Sequence, residues 1–440
     1  MKHKKICAWF GALAVIVGAF PFGLVGFVGR AIGFGFAPPP GLFANIGLLE
    51  RVSMPSKAEA SYRFADFQGR PPVHISRAAA AAPQGITPAA IKKAYGLPTT
   101  GGSGTIAIID AYDDANIESD LGVFDKQFGL AACTTKNGCF EKHKVASSTA
   151  SNSGWALEES LDVEWAHAIA PKAKILLVEA KTESGQNLLD AIDYATARKD
   201  VVTVSMSWGG AEFSDELSYD SHFVRNGGVA SSSVTDYIFT DAASSTKKAT
   251  GAIAFFASSG DDGAGASWPA SSPYVVGVGG TTLTLATSTG KFIKEMAWSG
   301  SGGGVSAYEK EPTYQTTYNI PKANGMRAIP DVSYDADPAT GYPVYKSSGS
   351  KSGSGSKNGW YTVGGTSAGA PQWAAIQALG LSLGGPSGLA KIYNDKASSG
   401  TAKFFRDITS GKNGTCTYYC DARKRYDYVT GLGAPQTTKF

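Results

Sequence analysis

Two acidic residues lie four positions apart in a stretch whose apolar residues recur at helical spacing. Residues 155–169 read W-A-L-E-E-S-L-D-V-E-W-A-H-A-I, and at about 100° per residue Glu158 and Asp162 fall inside the apolar arc of the predicted helix. The opposite arc is polar and holds Ser160, Glu164 and His167. Two carboxyls at close range on a buried face cannot both ionise at low cost, so one should retain a proton and the pKa values of the pair should separate. The spacing therefore predicts acid–base chemistry at low pH, with a pair of solvated surface acids as the alternative.

A serine at the start of a second predicted helix is a candidate nucleophile. Residues 360–375 read W-Y-T-V-G-G-T-S-A-G-A-P-Q-W-A-A, which is an apolar strand, two glycines, Thr-Ser and a helix that opens with small residues. Ser367 would stand at a helix N-terminus, where backbone N–H groups face developing negative charge. The small residues after it would leave room for a substrate. The alternative is that Thr366 or Ser367 only caps the helix.

The base that activates Ser367 would have to be a histidine or a carboxylate. None of the five histidines follows a motif that would direct it toward Ser367; they are His3, His74, His143, His167 and His222. A Ser-His-Asp arrangement therefore has little support in the sequence. Glu158, with Asp162 behind it, is the better candidate base.

The elements that must position these residues alternate between strand and helix. Buried apolar strands are predicted at residues 105–109, 174–179, 201–207, 252–258 and 275–278. Helices are predicted at residues 155–169 and near residues 187–198. This alternation predicts an α/β fold in which a parallel sheet carries helices on both faces. Ligands bind beyond the carboxyl ends of such strands, which is where Asp110, Trp208 and Asp261 occur.

Composition limits the class of protein and of partner. The 440 residues are 43% hydrophobic and 18% charged, which suits a globular protein with a sizeable core. The net charge of +3 is too small to indicate a nucleic-acid partner. Of the five cysteines, Cys133 and Cys139 form one close pair and Cys416 and Cys420 another. With an export-like N-terminus, these spacings predict small-loop disulfides, the alternatives being free thiols or a weak metal site.

The N-terminal region divides into two predicted segments ahead of the main domain. Residues 1–29 are basic and then uncharged and apolar, which indicates a signal peptide or a membrane anchor. Either would place the rest of the chain outside the cytoplasm. We interpret residues 30–85 as a linker or short pro-segment and place the domain boundary at residue 86, where Thr87 can cap a helix beginning with Pro88. Residues 225–248 and 347–358 have the composition of surface insertions.

Several stretches resemble the sedolisin (serine-carboxyl peptidase) family, relatives of the subtilisins in which Glu takes the place of the catalytic His. The stretches occur in the family's order. They are E-E-S-L-D-V-E-W-A-H-A-I-A-P at 158–171, S-W-G-G at 207–210, S-S-G-D at 258–261, I-P-D-V-S at 329–333 with A-D-P-A-T-G at 336–341, G-G-T-S-A-G-A-P at 364–371, and D-I-T at 407–409 with T-G-L-G-A-P at 430–435. The resemblance implies a subtilisin-like fold with a single large catalytic domain over residues 86–440.

The resemblance also implies roles for individual acids. Ser367 would be the nucleophile, Glu158 its general base, and Asp162 the residue that orients Glu158 and shares its proton. Asp261 would donate to the oxyanion, with the adjacent Asp262 as an alternative. Because a carboxylate repels an oxyanion, this donor works only when protonated, so an acidic optimum is expected.

Further roles follow from the same resemblance. Ser207, Trp208 and Gly209 would bind substrate, and Asp110 matches a position where some members carry another acid linked to the dyad. A calcium site in the tail would take carboxylate oxygens from Asp407 and Asp427 and backbone carbonyls near them, since hard oxygen ligands suit Ca²⁺. The carbonyl donors would be Ile408, Arg423 and Arg425, the two arginines standing where the family usually has glycine.

The leading hypothesis is an exported, monomeric endopeptidase that cleaves protein or peptide substrates at acidic pH through an acyl-enzyme. It has no nucleic-acid partner and, if the apolar segment is retained, is anchored to a membrane. One rival is a subtilisin-type neutral protease that uses His143, His167 or His222. The other rival is a non-catalytic cell-surface binding module.

Overall fold

The computed structural model describes residues 62–147, 150–224, 253–286, 289–347, 358–381, 386–399 and 404–436. The predicted signal peptide or anchor at 1–29 lies outside the described residues, as does most of both predicted insertions. Within these ranges, no helix combines the length and the apolar composition that a membrane span requires.

The described residues form an α/β fold. Its strands are β1 (His74–Ala80), β2 (Thr105–Ala111), β3 (Phe140–Lys144), β4 (Lys174–Ala180), β5 (Val201–Met206), β6 (Gly210–Ala211), β7 (Ala254–Ser258), β8 (Ser267–Trp268), β9 (Val275–Leu285), β10 (Phe292–Ala297), β11 (Gly304–Lys310), β12 (Met326–Ile329), β13 (Val332–Asp335), β14 (Tyr342–Lys346), β15 (Gly359–Gly364), β16 (Phe405–Arg406) and β17 (Ala434–Pro435). Its α-helices are α1 (Pro88–Ala94), α2 (Ile117–Phe128), α3 (Ser153–Ile169), α4 (Gly185–Ala197), α5 (Thr313–Tyr318), α6 (Gly369–Ala378) and α7 (Pro386–Ser399). Short 3₁₀ helices lie at Phe64–Asp66, Glu216–Phe223 and Thr366–Ala368.

A mostly parallel eight-stranded sheet forms the centre of the fold. Its strands follow the spatial order β10-β9-β7-β5-β2-β4-β3, and β13 also pairs with β9. The pairs along β3, β4, β2, β5, β7 and β9 are parallel, and only the edge strand β10 runs antiparallel to its neighbour β9. The predicted parallel α/β fold is therefore confirmed, although several strands extend past their predicted ends.

Both faces of this sheet are covered, as the sequence predicted. In β2, Ile106 and Ile108 pack into one apolar cluster, whereas Ala107 and Ile109 pack into the other. The first cluster includes residues of α2, α3 and α6, and the second includes residues of α4. Because successive side chains of a strand point to opposite faces, this alternation requires helices on both sides.

Helix α3 departs from the predicted amphipathic pattern because it is buried on every side. All residues from Trp155 to Ile169 are buried, so the prediction of a polar face at Ser160, Glu164 and His167 was wrong. Helix α2 and strand β14 cover that side. The Glu164 carboxylate accepts a hydrogen bond from the Tyr345 backbone N–H at 3.0 Å, and His167 Nε2 lies 3.0 Å from the carbonyl oxygen of Ala131. These hydrogen-bond partners allow the polar side chains to be buried without the solvent contact that the sequence pattern implied.

The structure contains the predicted helix cap at Thr87 and both predicted small-loop disulfides. Thr87 caps α1 by accepting a hydrogen bond from the Ala90 N–H, with Pro88 in the first helical position. Cys133 and Cys139 form one disulfide, and Cys416 and Cys420 form the other.

Candidate active site

The candidate catalytic residues converge at the carboxyl edge of the central sheet. Helix α3 carries Glu158 and Asp162, and β2 carries Asp110 near its end. Asp261 follows β7 by three residues, and Ser367 lies in the 3₁₀ turn that leads into α6. Helix α3 packs against both this turn and α6, which brings the acids and the serine together.

The Glu158 and Asp162 side chains are fully buried beside Ser367. Burial raises the pKa of both carboxyls well above the usual range, and the buried Asp110 raises both further. The Ser367 hydroxyl lies close enough to Glu158 to oppose this rise, but it donates its own hydrogen bond to the carbonyl oxygen of Pro72 at 3.0 Å. Among the described residues, no N–H or O–H donor meets the four carboxyl oxygens of the pair in hydrogen-bonding geometry, although the Ser207 hydroxyl lies near enough to Asp162 to lower its pKa. A proton held between the two carboxyls would satisfy this arrangement.

The Asp261 carboxylate is fixed by the residue that precedes the serine. Its side chain is 5% exposed, and Oδ1 accepts hydrogen bonds from the Thr366 backbone N–H at 2.8 Å and the Thr366 hydroxyl at 2.7 Å. Gly365 adopts φ +129°, and a Cβ there would lie 2.6 Å from Asp261 Oδ2. Asp262, by contrast, is exposed. The two aspartates that the sequence left as alternatives therefore differ in the exposure of their side chains.

The S-W-G stretch after β5 forms one wall of the site. The Ser207 hydroxyl donates to the carbonyl oxygen of Ser367 at 3.1 Å. The Trp208 indole is fully buried and donates to the carbonyl oxygen of Ile109 at 2.8 Å. These two hydrogen bonds fix the position of residues 207–209, so that the Gly209 backbone is available to pair with an extended segment.

Residues 67–73, which we call the cleft segment, run past this edge to the serine. The backbone N–H and C=O of Arg70 exchange hydrogen bonds with those of Gly209, at 3.0 and 3.2 Å. On the other side, the Gly69 N–H donates to the Glu183 carbonyl at 2.8 Å and the Gly185 N–H donates to the Phe67 carbonyl at 3.1 Å. The bridges to both edges are antiparallel. The segment therefore lies as a central strand between two edges and ends at Ser367.

A histidine that the sequence analysis passed over contacts the candidate oxyanion donor. His74 Nε2 lies 3.0 Å from Asp261 Oδ2. His74 precedes the predicted domain boundary, and only its position as the first residue of β1, which pairs with β15 next to Gly364, brings it here. No local motif could have indicated this contact.

The three histidines of the neutral-protease hypothesis are held by other partners. The His143 ring stacks on Tyr194 with ring centroids 3.6 Å apart. His167 is buried next to Ala131 and Asp125, and His222 Nδ1 lies 2.7 Å from Asp193. The observed contacts of Ser367 involve none of these three residues.

In the tail, both candidate calcium aspartates accept backbone hydrogen bonds from residues 423–425. The Arg425 N–H donates to Asp407 Oδ2 at 2.9 Å, and the Arg423 N–H donates to Asp427 Oδ2 at 3.1 Å. Burial raises the pKa of Asp427 to about 7, so in the absence of a cation this carboxyl holds a proton at acidic pH. The Asp427 carboxylate also accepts hydrogen bonds from the Val429 N–H at 2.9 Å, the Thr430 N–H at 2.8 Å and the Thr430 hydroxyl at 3.0 and 3.2 Å. Protein donors therefore already hold this carboxylate, and a cation would have to share its oxygens with them. Both aspartates nevertheless supply carboxylate oxygens. With nearby backbone carbonyls they form a donor set suited to a hard cation.

The arginine side chains of this loop are directed at aromatic rings. The Arg423 guanidinium lies 4.6 Å from the centre of the Tyr418 ring and donates to the carbonyl oxygen of Thr417. The Arg425 guanidinium lies 5.7 Å from the centre of the Tyr318 ring. These contacts allow backbone atoms of the loop to face the aspartates without placing a guanidinium between them.

Comparison with known proteins places the chain in a family. Residues 143–391 match the model of the subtilase family. Kumamolisin of Bacillus sp. (strain MN-32) is 32% identical over 392 residues, which cover 82% of this chain and 64% of that relative. Sedolisin of Pseudomonas sp. (strain 101) is 27% identical over 388 residues, which cover 80% of this chain and 59% of that relative. The chain thus spans less than two-thirds of the length of these two relatives.

A solved structure of a relative has the same fold. Pseudomonas sedolisin, described as a serine-carboxyl proteinase complexed with two molecules of pseudo-iodotyrostatin, matches with a TM-score of 0.64 at 25% identity. The match covers 82% of this chain and 97% of that chain. The predicted resemblance to the sedolisins is confirmed, and because the family model matches more than half of the 440 residues, the chain belongs to the subtilase family.

Proposed function

We propose that this protein is a serine-type endopeptidase that cleaves proteins and peptides at acidic pH. The observation that carries the proposal is the buried Glu158–Asp162 pair next to Ser367, at the end of a cleft that already holds an extended peptide segment. The similarity to sedolisin and kumamolisin supports the same activity. A non-catalytic binding module does not require a pair of buried carboxyls next to a serine, and burying such groups is energetically costly.

The proposed reaction divides acid–base work among three carboxyls. Glu158, ionised while Asp162 holds the shared proton, accepts the Ser367 hydroxyl proton as Oγ attacks the substrate carbonyl carbon. Protonated Asp261 donates a hydrogen bond to the oxygen that becomes negative. Glu158 then returns its proton to the leaving amine, and water hydrolyses the acyl-enzyme by the same steps in reverse order.

The electrostatics of the site support an acidic optimum. Burial raises the pKa of Asp261, whereas His74 and the Thr366 donors lower it. As pH rises through this pKa, Asp261 loses the proton that it must donate. At the lowest pH, the pair takes up a second proton and Glu158 ceases to act as a base. The rate should therefore follow a bell-shaped profile.

Digestion of denatured casein between about pH 2 and about pH 8 tests this proposal, because the profile reports the ionisation of the acid and the base. We expect the maximum below about pH 5, where one carboxyl of a close pair remains protonated. A maximum near neutrality would contradict the carboxyl mechanism. Absence of digestion at every pH, together with absence of fluorophosphonate labelling of Ser367, would favour the binding module.

Replacing the three candidate histidines one at a time distinguishes the neutral-protease rival. We expect His143→Gln, His167→Gln and His222→Gln to retain casein hydrolysis within about threefold, since loss of a true catalytic histidine costs several orders of magnitude. The measurement is kcat/KM at the optimum, with thermal unfolding as a control for the buried His167. Loss of more than about 10³-fold in any of the three, with the fold intact, would support that rival.

We further propose one Ca²⁺ site formed by the carboxylates of Asp407 and Asp427 and the backbone carbonyls of Ile408 and Arg425. The observation that supports it is the pair of N–H bonds that draw residues 423–425 toward both aspartates. Bound Ca²⁺ would join the tail to the domain by ligands from both segments. Calcium would serve stability only, because no reaction step involves these residues.

Removal of calcium should lower the melting temperature. A cation at about 100 times its Kd stabilises the folded state by about 2.7 kcal/mol, which corresponds to roughly 3–4 °C for a domain of this size. Differential scanning calorimetry with and without a chelator measures this shift. Asp427→Asn should abolish the difference, whereas Asp421→Asn, at a neighbouring, partly exposed carboxylate that pairs with the Arg423 side chain, should retain it. An equal shift in both variants would refute the site.

We also propose that the protein is exported and that its catalytic domain begins at residue 86. The two disulfides support an oxidising compartment. In the described structure, residues 62–85 lie against the same domain that residue 86 begins, with Phe67 fully buried. We propose that residues 30–85 act as a pro-segment that must leave the cleft before a protein substrate enters.

A further inference from the structure

The cleft segment lies in the orientation that a substrate would take. Its backbone pairs with Gly209 on one side and with residues 183–185 on the other, and these bonds do not depend on side chains. The Pro72 carbonyl oxygen is the group that Ser367 contacts. If Pro72 marks the residue whose carbonyl is attacked, Phe67 marks the fifth residue before it.

The Phe67 side chain occupies a pocket made of aromatic rings. It is fully buried, and its ring meets Trp268 edge-on with centroids 4.8 Å apart. The Phe213 and Trp208 ring centroids lie 5.6 and 6.5 Å from it. Such tilted and edge-on contacts favour an aromatic occupant over an aliphatic one of similar size.

The walls of this pocket are formed by residues of the proposed catalytic domain and not by the cleft segment. Trp208 is fixed by its bond to Ile109, and Trp268 is the antiparallel partner of Gly210. Gly210 provides the space, because a Cβ there would lie 2.6 Å from the Phe67 ring. Departure of the cleft segment would leave this wall in place beside the edge that binds the substrate backbone.

We propose that Trp208, Gly210, Phe213 and Trp268 form a subsite for an aromatic side chain of the peptide substrate, five residues before the residue whose carbonyl is attacked. The inference rests on the proposed peptidase function, since it assumes that substrates follow the path of the cleft segment. It adds a preference remote from the scissile bond, for extended chains with Phe, Tyr or Trp at that position.

Two internally quenched peptides test the subsite. One contains Phe-Gln-Gly-Arg-Pro-Leu-Val-His, with cleavage expected between Leu and Val, and the other has Ala in place of Phe. In the Phe67→Ala chain the pocket is vacated, and the cleft segment has lost the buried ring that holds it, so a peptide can displace it. This chain should hydrolyse the Phe peptide with a kcat/KM about 10- to 100-fold higher than that for the Ala peptide, the ratio expected for burying one aromatic side chain. Product masses establish the register of cleavage.

A glycine substitution provides the matched control. Gly210→Ala in the Phe67→Ala background should reduce the ratio to about one, since the new methyl group enters the space of the ring. Gly122→Ala, at a glycine whose added Cβ would meet nothing within 4 Å, should leave the ratio unchanged. Equal ratios in the two glycine variants would contradict the pocket assignment.

A binding measurement separates the subsite from the chemistry. In the Phe67→Ala/Ser367→Ala chain, fluorescence anisotropy should give a Kd for the labelled Phe peptide at least about tenfold lower than for the Ala peptide. Equal Kd values, or no binding of either peptide, would overturn the subsite. Equal hydrolysis of both peptides would also overturn it while leaving the peptidase function intact. Preferential binding of the Phe peptide to the Phe67→Ala/Ser367→Ala chain, combined with no hydrolysis of either peptide by the Phe67→Ala chain, would support the subsite and refute the peptidase function.

Discussion

Ser367→Ala and Glu158→Gln should each reduce hydrolysis of casein at the acidic optimum by about 10⁴- to 10⁶-fold. Alanine removes the only oxygen that can form the acyl-enzyme. Glutamine keeps the shape of Glu158 but cannot accept the serine proton, and the remaining Asp162 then has no carboxyl with which to share a proton. Because the two residues act in one step, the double variant should lose little more than either single variant.

The measurement is kcat/KM with a quenched peptide, supported by fluorophosphonate labelling, which Ser367→Ala should abolish. Glu164→Gln is the matched control. It removes the charge of another fully buried glutamate on α3 while preserving an acceptor for the Tyr345 N–H, which lies 3.0 Å away. We expect this control to retain activity within about tenfold. Comparable losses in Glu164→Gln and Glu158→Gln would indicate that α3 is merely sensitive to substitution.

The central sheet could be predicted because its strands are continuous apolar runs. Such runs, separated by helical segments, indicate a parallel sheet with two covered faces, and the structure has both. Glu158 and Asp162 could be singled out for the same reason, since their positions among apolar side chains conflict with their charge. Their burial follows from the pattern of α3 alone.

The surroundings of α3 could not be predicted in this way. Ser160, Glu164 and His167 look like a solvent-facing arc on a wheel, but α2 and β14 cover that side of α3. Ser160 donates to the Ala156 carbonyl oxygen within α3, Glu164 accepts from the Tyr345 N–H of β14, and His167 contacts the Ala131 carbonyl oxygen in the loop after α2. The partners of Glu164 and His167 come from distant parts of the chain. The path of the cleft segment is non-local for the same reason, and it explains why His74 was placed ahead of the domain although it contacts Asp261.

Asp261→Ala should reduce kcat/KM at the optimum by about 10²- to 10³-fold, the usual cost of removing one donor to an oxyanion. Asp261 can donate only from its protonated form. Its pKa is raised by burial and lowered by His74, so the wild-type rate should fall as pH rises through that pKa. Asn offers an amide donor at every pH. Asp261→Asn should therefore retain more activity than Asp261→Ala and decline less steeply toward neutral pH.

The profiles of kcat/KM from about pH 3 to about pH 7 decide this assignment, because they report ionisation in the free enzyme. Asp262→Ala is the control, since that aspartate is adjacent in sequence but exposed. We expect it to retain activity within about twofold. The opposite result, in which Asp262→Ala is the damaging change, would move the oxyanion role to the neighbouring residue. A profile of Asp261→Asn as steep as that of the wild type would assign the alkaline loss of activity to the Glu158–Asp162 pair instead.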